Sequence, residues 1–120
     1  MTPKDFRRIA LGMQDAVEGA HMGHPDFRAN GRIFASLSTD PGWGCIVKLM
    51  PEQQQRFVEA DPETFVPAKG AWGRAGSTMV RLASADGETV GEAMTLAWQG
   101  TAKTAKAKAR PTAPAKKGGR

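Results

Sequence analysis

Tyrosine is absent from this sequence, cysteine occurs once, and no acidic side chain follows Glu92. A lone cysteine excludes an intramolecular disulfide, so stability has to come from a packed core. Cys45 lies in an apolar run, Cys45-Ile46-Val47, that reads as a buried strand. No histidine or helix start stands near it in sequence, so it reads as inert packing and not as a nucleophile. No apolar stretch approaches the roughly 18 residues that span a bilayer, and the polar start Met1-Thr2-Pro3-Lys4-Asp5 lacks an apolar signal core. The expected compartment is the reducing cytoplasm.

Catalytic constellations are equally scarce. There is no Ser-His-acid order, no close pair of carboxylates and no phenol. His21 and His24, with Asp26, invite a metal reading. Residues three apart on a strand point to opposite faces, however, and no Cys or further His completes a set. Gly70-Ala71-Trp72-Gly73-Arg74-Ala75-Gly76 carries glycine at every third position. It lacks the Gly-Lys-Ser/Thr ending of a phosphate loop and the spacing of a dinucleotide fingerprint. The expectation is a protein that is not an enzyme and needs no cofactor or metal.

What is present is cationic charge in an uneven distribution. The formal net charge is +5, yet Lys103, Lys106, Lys108, Arg110, Lys116, Lys117 and Arg120 supply seven bases with no acid among them. Residues 1–102 hold ten bases and twelve acids, a net of −2. The chain therefore divides into a folding body, 1–102, and a Lys/Ala/Pro-rich tail, 103–120, expected to be disordered because it has too little apolar surface for a core. Within the body, the segments read as strands and hairpins carry Arg28, Arg32, Lys48, Lys69, Arg74 and Arg81 against Asp26 and Asp40. The other ten acids fall on the helical segments and the turns beside them, which predicts one acidic and one basic face.

Local patterns predict the elements. Thr2 as N-cap, Pro3 and Asp5 announce a helix whose stripe runs Phe6, Ile9, Ala10, Met13 and Val17, with Gly19 as its stop. Asn30-Gly31 is a strong hairpin signal, joining a strand from Met22 to Arg28 with one from Arg32 to Ser38. The Asp40 to Gly44 turn, which includes Trp43, leads into a strand from Cys45 to Leu49. Pro51 opens a second helix, ended by Pro62. A strand follows from Phe65 to Ala68, with Pro67 suited to a sheet edge, and another from Met79 to Leu82. Asp86 caps a last helix with Val90, Ala93, Met94, Ala97 and Trp98 at core spacing and Gly100 as its stop.

The order α-β-β-β-α-β-β-α, with short connections, predicts an α+β fold in two layers: an antiparallel sheet of about five strands with helices on one side. One sheet face can remain wet. The glycine-rich stretch reads as a hairpin or loop bearing Lys69, Trp72 and Arg74. Trp72 is expected to fold back on the small core; exposed, it would stack on a base while its neighbours meet phosphate.

Val17-Glu18-Gly19, His24-Pro25-Asp26-Phe27-Arg28, Gly31-Arg32-Ile33-Phe34-Ala35, Lys69-Gly70-Ala71-Trp72-Gly73 and Val80-Arg81-Leu82, with Ala97-Trp98 in the last helix, together resemble the MmcQ/YjbR family over residues 3 to about 102. The resemblance implies a compact fold like that of YjbR and the secretion chaperones, with a proposed double-wing DNA-binding role. Arg32 and Trp72-Gly73-Arg74 fall on the wing positions, and the resemblance implies no catalytic residue. The tail resembles linker-histone and nucleoid-protein tails in composition alone. The expected partner is nucleic acid, duplex DNA first, met by Arg28, Arg32, Lys69, Trp72, Arg74 and Arg81 on the body and by the tail cations. Seven phosphate contacts would give a salt slope of about −6. The alternative is a protein-interaction module that binds a peptide or a second copy of itself.

Overall fold

A capping box starts the first helix of the computed structural model. Asp5 N–H donates to Thr2 Oγ1 at 3.1 Å and Thr2 N–H to Asp5 Oδ2 at 2.9 Å, satisfying two end donors at once. The structure describes residues 1–21, 23–40 and 42–109, with side chains for 1–20, 23–40 and 42–101. Helix α1 spans Pro3–Leu11 and buries Phe6 and Ala10.

It stops six residues short of Val17, where the sequence pattern places its end. Gly12 caps it and Asp15 takes a left-handed conformation, φ 63°. Val17, β-branched and 59 % exposed, begins a strand. Strand β1, Val17–His21, pairs antiparallel with β2, His24–Ala29, and β2 with β3, Arg32–Leu37. Asn30 and Gly31 at φ 55° and 75° make the second hairpin, as expected.

Strand β4 spans Trp43–Ile46, α2 Pro51–Ala60, β5 Phe65–Pro67, α3 Gly70–Arg74, β6 Thr78–Arg81 and α4 Gly87–Ala109. The sheet is fully antiparallel with six strands in the order β1-β2-β3-β4-β6-β5. The α+β class and the antiparallel sheet are as expected, and Pro67 lies on an edge strand. The count rises by one strand, β1, and the glycine-rich stretch holds the short helix α3 where a hairpin or loop was expected.

The core lies between one sheet face and α1 with α4. Phe6, Phe27, Phe34, Ile46, Val80, Val90 and Met94 are fully buried there. Gly44 is where α1 comes closest, since a Cβ there would stand 2.7 Å from the Phe6 ring. Helix α2 packs Phe57 against Phe65 of β5, ring centroids 5.2 Å apart. A register shift between β2 and β3 at Phe27/Arg28 lets Phe34 and Ala35, consecutive in β3, both be buried, and returns Ile33 to the other face.

Asp86 caps α4 through Thr89 N–H at 2.8 Å, and Val90, Ala93, Met94 and Ala97 are buried as the spacing predicts. Trp98 packs at the core's margin, its indole N–H donating to the Gln14 carbonyl at 2.9 Å. Gly100 does not end the helix. A Cβ there would be 3.3 Å from the Lys48 carbonyl, so the glycine serves close approach while α4 runs on to Ala109. Lys103, Lys106 and Lys108, expected in the tail, are therefore on helical backbone. Arg110, Lys116, Lys117 and Arg120 lie outside the described residues.

Candidate functional site: a basic groove on the open sheet face

With α1 and α4 on one face, the alternation of each strand turns a second set of side chains the other way. Asp26, Ser36, Cys45 and Met79 are successive cross-strand partners on β2, β3, β4 and β6 and so share that second face. A groove of about 630 Å³ is set into it. Ile33 and Val47 contribute apolar surface, and Arg28, Arg32 and Lys48 contribute charge. Trp72 of α3 also lines the groove, so the helices are not confined to one side of the sheet.

Asp26 is 1 % exposed, and its charge is met by Arg28 two residues on. Arg28 Nε donates to Oδ1 at 2.7 Å and a terminal nitrogen to Oδ2 at 3.1 Å, a bidentate pair. Its hydrogen bond to Asp26, then the carboxylate's charge, raise the guanidinium pKa above its ordinary value. The pair needs room over β1, and Gly19 supplies it. A Cβ at Gly19 would lie 3.0 Å from Asp26 Oδ1 and 3.1 Å from Arg28 Nε. Gly19, expected as a helix stop, is a strand residue that clears space for an ion pair.

Trp72 is 69 % exposed, contrary to the expectation that it caps the core. The reason lies in how α3 is held. A Cβ on Gly73 would fall 1.7 Å from the Ala68 carbonyl oxygen, so the turn sits directly against the chain entering it. Gln54 of α2, 9 % exposed, donates from Nε2 to the carbonyls of Gly73 at 3.0 Å and Ser77 at 2.9 Å. With its backbone pinned on the inner side, the helix turns Trp72 outward to the rim of the groove. No sequence signal marks Gln54, because a glutamine on a short helix normally reads as surface.

The predicted binding residues separate into groups. Arg28, Arg32 and Trp72 line the groove. Lys69 and Arg74, exposed before and at the end of α3, flank Trp72 without lining it. Arg81 lies at the far end of β6, its guanidinium carbon 4.6 Å from the Trp43 ring centroid and its Nε 3.0 Å from the Glu63 carbonyl. Trp43 opens β4, and its backbone N–H closes the preceding turn by donating to the Asp40 carbonyl at 3.1 Å. Lys48 lines the groove, although the sequence marks it as no more than one strand base among several. Among the described residues neither Arg32 nor Lys48 has a carboxylate within ion-pair distance.

Asn30, at the tip of the β2–β3 hairpin, donates from Nδ2 to Thr101 Oγ1 of α4 at 3.2 Å. Gly31 and Arg32, next along that hairpin, line the groove. Helix α4 is thus tied, two residues before Lys103, to the hairpin that supplies Gly31 and Arg32 to the groove. Cys45 also lines the groove. Burial pushes its thiol up to about 11, partly offset by a hydrogen bond with the Thr78 backbone, so it stays protonated and unreactive at neutral pH. Among the described residues no three His, Cys, Asp or Glu side chains gather as a metal set, and no helix is long and apolar enough to cross a membrane.

A crystal structure of a Deinococcus radiodurans protein containing the DUF419 domain superposes with a TM-score of 0.71. The match covers 99 % of this chain and 94 % of that one at 19 % identity, and it speaks for the fold. A search of curated proteins finds no match. The family model named YjbR matches residues 11–100, which include every strand, the groove and most of α4, and the chain belongs to the YjbR family.

Proposed function

We propose that this is a non-enzymatic nucleic-acid-binding protein of low sequence selectivity, acting in the cytoplasm. Its cationic C-terminal segment supplies most of the affinity and its open sheet face orients the bound polyanion. The observation that supports the reading is the tie between Asn30 and Thr101, because it joins α4, two residues before the first of the seven cations, to the hairpin whose Arg32 lines the groove with Lys48. A chain that neutralises phosphates releases condensed counterions, and its affinity then falls steeply with salt.

Fluorescence anisotropy on labelled DNA of mixed sequence, duplex and single-stranded, tests this. With all seven C-terminal cations engaged, affinity for duplex falls by roughly three to four decades between 50 and 200 mM salt. Replacing those seven residues with glutamine in the full chain flattens the dependence. Absence of binding to either form at low salt overturns the proposal.

A second reading, a protein-interaction module, draws support from the sheet edges. Val17 on β1 and Val66 on β5 are 59 % and 36 % exposed, on strands that each pair on one side alone. Such edges can add a strand from a peptide or a second copy. A salt-insensitive dimer in sedimentation, unchanged by the glutamine replacements, would favour it.

A further inference from the structure

We infer that the groove takes one unpaired nucleotide of a single strand, with its base against Trp72 and its phosphate toward Arg32 and Lys48. This rests on the nucleic-acid reading above and adds the form of the nucleic acid. A duplex keeps its bases stacked inside and presents a convex surface of phosphates, for which a flat or protruding basic surface suffices. Here the cations belong to a concavity of about 630 Å³, within the range of about 300–1,000 Å³ that small ligands occupy.

The lining has the two chemistries an unpaired nucleotide needs. Trp72 offers an indole that is 69 % exposed, and Ile33 and Val47 add apolar surface, so a base leaving water finds a stacking partner and dry walls. Arg32 and Lys48 carry charges that no described carboxylate neutralises. Arg28, by contrast, is committed to Asp26. Gln54 anchors the turn bearing Trp72 from the buried side, so the indole's mounting is ordered before a ligand arrives.

The test uses the full chain with a labelled oligothymidylate, a duplex of the same length and thymidine monophosphate, read by anisotropy and by quenching of tryptophan emission. The strand is expected to bind at least about fivefold tighter than the duplex at equal salt, since one stacked base contributes about 5- to 150-fold. Trp72→Ala is expected to cost a factor in that range and abolish the quenching, and Trp72→Phe to recover part of the affinity. Arg32 and Lys48 face the same phosphate, so Arg32→Ala and Lys48→Ala combined are expected to lower the salt slope by about 0.7.

Equal affinity for strand and duplex, or unchanged binding by Trp72→Ala, overturns this inference and leaves the nucleic-acid proposal standing. Thymidine monophosphate binding as tightly as the strand also overturns it, assigning the groove to free nucleotides. Absence of binding to strand and duplex alike overturns both readings.

Discussion

The Asn30 side-chain amide donates to the Thr101 hydroxyl at 3.2 Å, joining residues 71 positions apart in the chain. Thr101 is fully buried and its hydroxyl donates to the Trp98 carbonyl at 2.7 Å, so the hairpin tip and α4 are joined by two consecutive hydrogen bonds. Thr101→Val keeps the shape and removes both bonds. It is expected to cost about 1–2 kcal/mol in urea unfolding. Asn30→Gly, which keeps the left-handed backbone, is expected to cost less than Asn30→Ala, which must also hold φ near 55°.

Gly19→Ala should act on the Asp26–Arg28 pair. The added methyl stands about 3 Å from both partners, so they must shift. A loss of about 1–3 kcal/mol is expected, as for other overpacked sites. Alanine matching glycine in chemical denaturation would show that β1 yields instead.

Arg28→Ala and Asp26→Asn should be unequal. Removing the arginine strips a carboxylate that is 1 % exposed of its guanidinium, whereas removing the acid leaves a guanidinium whose side chain is 41 % exposed and open to water. The Tm of Arg28→Ala is expected to fall further. The reverse order in calorimetry would contradict the account.

At the mounting of Trp72, Gln54→Leu deletes two hydrogen bonds, but each carbonyl keeps a backbone donor, from Gly76 and Ala68. The expected cost is about 1–2 kcal/mol. Gly73→Ala is harsher, because its Cβ would overlap the Ala68 carbonyl, and about 3 kcal/mol or more is expected. Both should move Trp72 and change its emission.

Acid should loosen α1 first. Asp5 is lowered from 3.8 to about 2, chiefly by the Thr2 backbone N–H and next by the Arg8 guanidinium. A carboxyl depressed in the folded state stabilises it above its unfolded pKa and ceases to do so as pH falls through the folded value. The stabilisation is therefore present above about pH 4 and lost toward pH 2. Asp5→Asn should flatten that part of the stability profile, as followed by circular dichroism. Asp86, lowered mainly by the Thr89 backbone N–H, should add to the same limb.

Much of this fold is determined by sequence alone, wherever a few adjacent residues decide the backbone. Thr2, Pro3 and Asp5 start α1, Asn30-Gly31 makes a hairpin by accepting positive φ, Val90 to Ala97 form one apolar stripe, and Pro67 keeps β5 at an edge. The division of charge between residues 1–102 and 103–120 is likewise a property of composition. Tertiary structure decided what depends on approach between distant segments. Val17 continues a helical stripe on paper, yet it pairs with Arg28 once Gly12 ends the helix. Gly19 and Gly100 read as stops, but each is small because something lies against it, the Asp26–Arg28 pair in one case and the Lys48 backbone in the other. Trp72 is apolar enough to expect burial, and it faces solvent because Gln54 and Ala68 occupy the inner side of its turn. The groove exists for the same reason: local pattern places side chains on a face, and packing of the helices determines which face stays open.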